Sequence, residues 1–155
     1  MSTPVLDPRE LAFLVGARRA ILATIDPHGH PRLVPVCFIV EAIADERLRL
    51  LTPLDDKPKS TDDKRALARV RDIERQHQVS LLVEHWDEDW SKLGWLRLQG
   101  HATVLEPDEV SLAYPEAAQL LRAKYPQYAT HALESSPMIL IDIERAVSWG
   151  AIDPA

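Results

Sequence analysis

The chain reads as a mainly β domain with flanking helices: six antiparallel strands closing into a small barrel, with the helices packed outside. Three observations predict this. The element order is helix, three strands, helix, two strands, helix, one strand. Short turns, not helices, separate the strands of the first half, which favours antiparallel pairing over βαβ units. Six strands from 155 residues suit a small closed barrel, and the whole chain, 1–155, reads as a single domain.

Each element has a local reason. "LDPRELAFLVGARRA" opens a helix: Asp7 is the cap, Pro8 suits the first helical position, and Glu10 completes a capping-box pattern. Leu11, Leu14 and Val15 form its apolar stripe. "AILATI" and "HPRLVPVCFIV" are strands joined by the turn residues Asp26 to Gly29, so Ala20 to Val40 reads as one hairpin. Pro35 has no N–H for a ladder, which places its strand at an edge or makes it bulged there. "RLRLLT" (Arg47 to Thr52) is a third strand. A helix starts near Thr61 or Asp62 and runs to about Gln76, with Leu67, Val70 and Ile73 facing inward. "VSLLVEHW" has the continuous apolar character of a buried strand, and "DEDWSKLG" is a polar loop. In "WLRLQGHATVL", Leu96 and Leu98 alternate with Trp95, Arg97 and Gln99, the signature of a half-buried strand. "PDEVSLAYPEAAQLLRAKY" is helical, Pro115 marking a kink or a helix start, and "MILIDIERAVSWGAI" is the last strand.

Composition limits the function. A net charge of −6 and a pI near 5.5 argue against broad binding to nucleic acid or anionic membranes. No apolar run approaches the roughly 20 residues of a membrane span. "MSTPVLDPRE" lacks the basic and apolar blocks of a secretory signal. Cys37 is the single cysteine, which excludes an internal disulfide and fits a reducing compartment, so the expected location is cytoplasmic.

Against that acidic background, "DDKPKSTDDKRALARVR" (55–71) holds Lys57, Lys59, Lys64, Arg65, Arg69 and Arg71, six of the 18 basic residues. Lys57 and Lys59 lie between a strand and a helix, where ammonium groups and helix-start N–H groups make an anion site. Arg65 and Arg69 are four apart and share a helix face. The alternative is a solvated face with Asp62, Asp63 and Asp72 as partners. No glycine lies in the segment, which excludes a P-loop. Trp86, Trp90 and Trp95 cluster within ten positions, as core, subunit interface or a stacking platform. Asp87 to Asp89 read as an exposed acidic turn. No pair of the six histidines has helical ligand spacing, which argues against a metal site. Cys37 reads as a packing thiol, and no serine sits in a nucleophile elbow. With no protein acid, base or nucleophile in evidence, an enzyme of this sequence would rely on a cofactor.

Taken together, "ATIDPHGHPRLVPVCF", "LLTPLDDKPK", "RVRDIERQHQVSLLVEHWDEDW" and "GWLRLQGHATVL" resemble the pyridoxamine 5'-phosphate oxidase-like split-barrel family. Within it they are most similar to the branch dependent on the deazaflavin coenzyme F420. The resemblance spans Leu6 to Gly150. It implies a six-stranded antiparallel split β-barrel, a homodimer, and flavin-type cofactors in grooves at the subunit interface. Carried onto this sequence, it implies a cofactor phosphate held by Lys57 and Lys59, helped by Arg65 or Arg69. It implies a ring lying along Val34, Pro35, Val36 and Cys37 with Thr52 close by. Trp90, Trp95 and Arg97 would come from the neighbouring subunit's side of the groove. The implied reaction is hydride transfer between reduced F420 and a small organic acceptor, whose oxygen Arg97 or Lys92 would polarise. An FMN-dependent oxidoreductase, or a non-catalytic carrier or sensor of flavin or haem, are the alternatives. Two departures count against vitamin B6 oxidation. The strand that carries a basic "RxxLLK"-type flavin motif in true pyridoxamine phosphate oxidases reads "RLVPVCFI" here, and "ILIDIERAVSWG" lacks their basic substrate-binding residues. Gly94 stands where the F420 branch often has an aromatic, which implies a more open pocket edge.

Overall fold

The computed structural model describes residues 4–43, 47–54, 63, 66–107 and 114–153. The first helix, α1 (Pro8–Gly16), starts as its sequence dictates. The Asp7 carboxylate accepts from the Glu10 N–H at 2.9 Å, and the Glu10 carboxylate accepts from the Asp7 N–H at 3.0 Å. The other Glu10 oxygen accepts from the Ser148 hydroxyl at 2.6 Å, so one side chain both caps the helix and ties it to the last strand.

β1 (Ala20–Ile25) and β2 (Pro31–Val36) form the expected hairpin. Its turn is built by Asp26, whose Oδ1 accepts from the N–H groups of His28 and His30 at 2.8 and 2.9 Å, and by Gly29 at φ 82°. These bonds, the His30 one foremost, hold the Asp26 carboxyl below its ordinary pKa.

The expected second strand is in fact two. It breaks at Cys37–Phe38, and β3 (Ile39–Ile43) turns away to pair with β4 (Arg47–Pro53). With β5 (Gln78–His85), β6 (Gly94–Leu105) and β7 (Met138–Gly150), the antiparallel sheet has seven strands in the order β2-β1-β5-β6-β7-β4-β3. Its two end strands are consecutive in the chain. A two-residue link, without a ladder between β2 and β3, therefore brings the ends of the sheet together. This is a split barrel. β6 and β7 are long enough to bend across it, and their register shifts between Gln99 and Gly100. A Cβ at Gly100 would lie 2.4 Å from the Asp142 carbonyl oxygen, so the bend needs glycine.

The interior is filled by alternate residues of these strands, among them Leu22, Leu50, Leu81, Leu96, Leu98 and Ile141, all buried. β5 differs from its expected buried type. Val79, Leu81 and Val83 point inward while Ser80, Leu82 and Glu84 face out. α2 (Ala68–Arg75) packs Val70 and Ile73 into the same interior, with Leu67 at its start. α3 (Tyr114–Lys124) covers the outside, where Ala117, Ala118 and Leu121 meet Ile39, Leu51 and Leu140 in a second apolar cluster. Among the described residues no helix is long and apolar enough to cross a membrane.

Two 3₁₀ turns (Pro126–Thr130 and Leu133–Ser135) lead from α3 to β7. Arg122 organises them. Its guanidinium donates to the carbonyls of Tyr128 and His131 at 3.2 and 2.8 Å and pairs in a fork with the Glu134 carboxylate. The Arg122 hydrogen bonds lower the Glu134 pKa from 4.5 to about 2. An unfolded chain thus takes up this proton first. The pair's contribution is complete above about pH 4.5 and is lost as pH falls toward 2. Glu134→Gln is expected to shift the acid-unfolding midpoint upward by a few tenths of a pH unit at most, because the pair is half exposed. An unchanged midpoint in a pH titration followed by circular dichroism would show that the pair has no linkage to folding.

Candidate functional site

The break between β2 and β3 is where the expected ring-binding residues fall. Val36 points into the barrel and is buried, whereas Cys37 is half-buried against the outer apolar cluster. Phe38 is wholly buried, and its backbone groups have left the ladder. Tyr125 takes the ladder's place. The Phe38 N–H donates to the Tyr125 hydroxyl oxygen at 3.0 Å, and that hydroxyl donates to the Arg18 carbonyl at 3.0 Å or the Phe38 carbonyl at 3.2 Å. Burial raises the Tyr125 pKa, which keeps this proton in place at neutral pH. Sequence reading missed Tyr125, because nothing local marks a tyrosine 87 positions away as the partner of a strand break.

Among the described residues β2 pairs with β1 alone, so its second edge carries no ladder there. Pro35 sits on this edge strand, one of the two placements its missing N–H predicts. Leu33 and Pro35 are exposed and Val34 is half-buried, so the strand offers apolar side chains beside unladdered backbone groups. Thr52 is buried on β4. It pairs in register with Ile139 of β7, one residue after Leu51, the last β4 residue paired with β3. Val34, Pro35, Val36 and Cys37 thus lie together along the seam made by β2 and the break that follows it, while Thr52 is on β4, the strand that pairs with β3 beyond the break. β4 ends at Pro53, immediately before the basic segment. Lys57, Lys59 and Arg65 lie outside the described residues. Arg69 is half-buried on α2, which packs on β1 and β6.

Trp90, Trp95 and Arg97 are elsewhere in the same chain. Trp90 opens a 3₁₀ turn (Trp90–Lys92), while Trp95 and Arg97 lie on the outward face of β6, three places from β2 in the sheet. The Arg97 guanidinium stands 5.4 Å from the Trp95 ring, and Trp95 pairs in register with Trp149. Of the tryptophan cluster, Trp86 and Trp90 are 61% and 73% exposed and so lie outside the core, while Trp95 is half-buried; Trp149, its partner in register, is 54% exposed. The acidic loop behaves as expected. Asp87 accepts from the Asp89 N–H, and Asp89 accepts from the Ser91 hydroxyl and N–H. These bonds order the turn and lower the Asp89 pKa. Gly94 is packed against its own chain: a Cβ there would lie 2.5 Å from the Ala151 carbonyl oxygen.

A groove of about 390 Å³ crosses the outward sheet face beside β2, lined by Ala23, Ile25, Pro31, Gln78, Ser80 and Gln99. Beneath it is a feature the sequence did not disclose. Asp72, read there as a partner on a solvated face, is 2% exposed. It accepts from the Thr24 hydroxyl and from Arg32 Nε, both at 2.8 Å, and Arg75 lies 3.6 Å away. This network binds α2 to the β1–β2 hairpin and commits Arg32 to a structural pair, which itself raises the Arg32 pKa.

The donor set fits a flavin-type group in part. The seam supplies an apolar, open-edged strand for a flat ring, and the basic segment that could meet a phosphate follows in sequence. Among the described residues no cluster of His, Cys, Asp and Glu could hold a metal ion.

A family model for pyridoxamine 5'-phosphate oxidase matches residues 6–150. No curated protein matches the chain. Solved structures share its fold at low identity. A conserved hypothetical protein from Mycobacterium tuberculosis superposes with a TM-score of 0.67 at 21% identity, over 97% of this chain and 89% of that one. HutZ, the haem storage protein from Vibrio cholerae, gives 0.64 at 16% over 96% and 95%. An F420 reductase gives 0.58 at 18% over 88% and 94%. With the family model spanning nearly the whole chain and the seven strands forming its split barrel, the chain belongs to the pyridoxamine 5'-phosphate oxidase-like family.

Proposed function

We propose that this protein is an oxidoreductase that binds coenzyme F420 at a dimer interface and transfers hydride to a small organic acceptor. The observation that carries the reading is the seam. It joins an edge strand with apolar side chains and unladdered backbone (Val34 to Cys37) to the strand, β4, that leads directly into Lys57 and Lys59. A flat ring fits the first and an anionic tail the second. The likeness to an F420 reductase supports the same choice. Bound there, the deazaflavin supplies the hydride. The chain's own residues position the ring along β2, hold its phosphate, and exclude water from the acceptor.

The outward sheet face supports the dimer reading. Leu82, Trp86, Trp90 and Trp149 are exposed on or beside it, large apolar side chains of the kind that a subunit interface covers. A two-fold partner would cover it and carry its own Trp90, Trp95 and Arg97 toward the seam. Sedimentation at micromolar concentration is expected to give twice the chain mass of 17.5 kDa; the chain mass itself would count against the dimer.

Likeness to a haem storage protein supports a second reading, a carrier that binds a cofactor without turnover. Titration of the purified protein with F420, FMN and haem, side by side, separates the readings. Tightest binding of F420, with oxidation of the reduced coenzyme on adding acceptor, is the expected result. Tightest binding of haem would overturn the proposal in favour of the carrier.

A further inference from the structure

On the far side of the seam, away from β2, lies a groove of about 360 Å³ between the end of α1, the open edge of β3 and the end of α3. Its walls are Val15, Ile39, Val40, Leu120 and Ala123, and its one charged lining residue is Lys124. The Lys124 amine turns inward: Nζ lies 3.9 Å from the centre of the buried Phe38 ring and 5.3 Å from that of Tyr125. Among the described residues no carboxylate lies within ion-pair distance of it. The groups that face it are Arg18, from the segment before β1, Cys37 from the seam, and Tyr125. Arg18 is held there by donating to the Lys124 carbonyl at 2.5 Å.

We propose that Lys124 is a nucleophilic amine that condenses reversibly with small apolar aldehydes or ketones seated in this groove. A lysine becomes a useful nucleophile when its proton is lost near neutral pH. Desolvation against apolar walls and a neighbouring cation are the two ways a protein achieves this. Both are present. Burial first, and Arg18 second, bring the Lys124 pKa down from 10.5 to about 8. The step balances without a redox partner. The amine lone pair forms a bond to the carbonyl carbon, one proton moves from nitrogen to oxygen to give the carbinolamine, and the second N–H proton joins the hydroxyl as the C–O bond breaks, so that water leaves as the C=N bond forms. Water reverses it. Val15 and Leu120, both about half exposed, leave the mouth open to a small reagent and favour one with an apolar tail.

The test uses the whole protein, hexanal or formaldehyde as the carbonyl reagent, cyanoborohydride to trap the imine, and peptide mass spectrometry to locate it. Exposed Lys92 is the internal reference. At pH 8 a lysine of pKa about 8 has about a hundred times more free amine than one of about 10.4. Hexanal is expected to label Lys124 at least about tenfold faster than Lys92. The Lys124 rate should rise with a midpoint near pH 8, and the Lys124:Lys92 ratio should be larger for hexanal than for formaldehyde. Lys124→Arg, which keeps the charge, should abolish that label while leaving cofactor binding unchanged. Lys124 labelling no faster than Lys92 would overturn the nucleophile. An equal ratio for both reagents would overturn the groove as a binding site.

Discussion

Asp72→Ala is expected to destabilise the protein by about 1.5–3 kcal/mol, the usual contribution of hydrogen bonds to a buried charged group. The carboxylate lies almost out of solvent and accepts from Thr24 and Arg32. Its removal strands the buried Thr24 hydroxyl, whose desolvation penalty adds to the lost bonds, whereas the Arg32 guanidinium, 42% exposed, turns to water. It also unfastens α2 from the hairpin, although Val70 and Ile73 still anchor the helix in the core. Asp72→Asn keeps the volume and one acceptor but presents an amide to the Arg32 donor, so its cost should fall between alanine and wild type. Urea unfolding, with the midpoint lowered at constant slope, is the measurement. A loss below about 1 kcal/mol for alanine would mean that water replaces the carboxylate and the site is not sealed.

Lys57→Ala and Lys59→Ala are each expected to weaken F420 binding by about one to two decades, since a charge-assisted bond to phosphate contributes about 1.5–3 kcal/mol. The motive is their place directly after β4, in a basic segment of an otherwise acidic chain. Their melting temperatures without cofactor should match the wild type. Added salt should weaken wild-type binding more than mutant binding, because the mutant has less attraction to screen. Variants that bind F420 and FMN as the wild type does would reduce the segment to a solvated surface. The cofactor proposal would then lose its main electrostatic support.

What was legible in the sequence was local or periodic. Asp7, Pro8 and Glu10 determine where α1 begins, because a capping box involves residues three apart. Alternation of Leu96 and Leu98 with Trp95, Arg97 and Gln99 determines which face of β6 is buried, because a strand's side chains alternate. Asp26 and Gly29 determine the hairpin turn. The family is also legible in the sequence, where the family model matches residues 6–150. What only the tertiary structure decided was long-range. "HPRLVPVCFIV" is a continuous β-forming run, and no local residue says that it must split at Cys37–Phe38. The split exists because the two ends of the sheet must meet, and because Tyr125, far along the chain, satisfies the backbone of Phe38 there. Asp72 and Lys124 are likewise ordinary charged residues in sequence. The surfaces packed around them bury one against Thr24 and Arg32 and lay the other on Phe38. Burial of a charge depends on what distant segments place around it, and that arrangement alone made the first a structural lock and the second a candidate nucleophile.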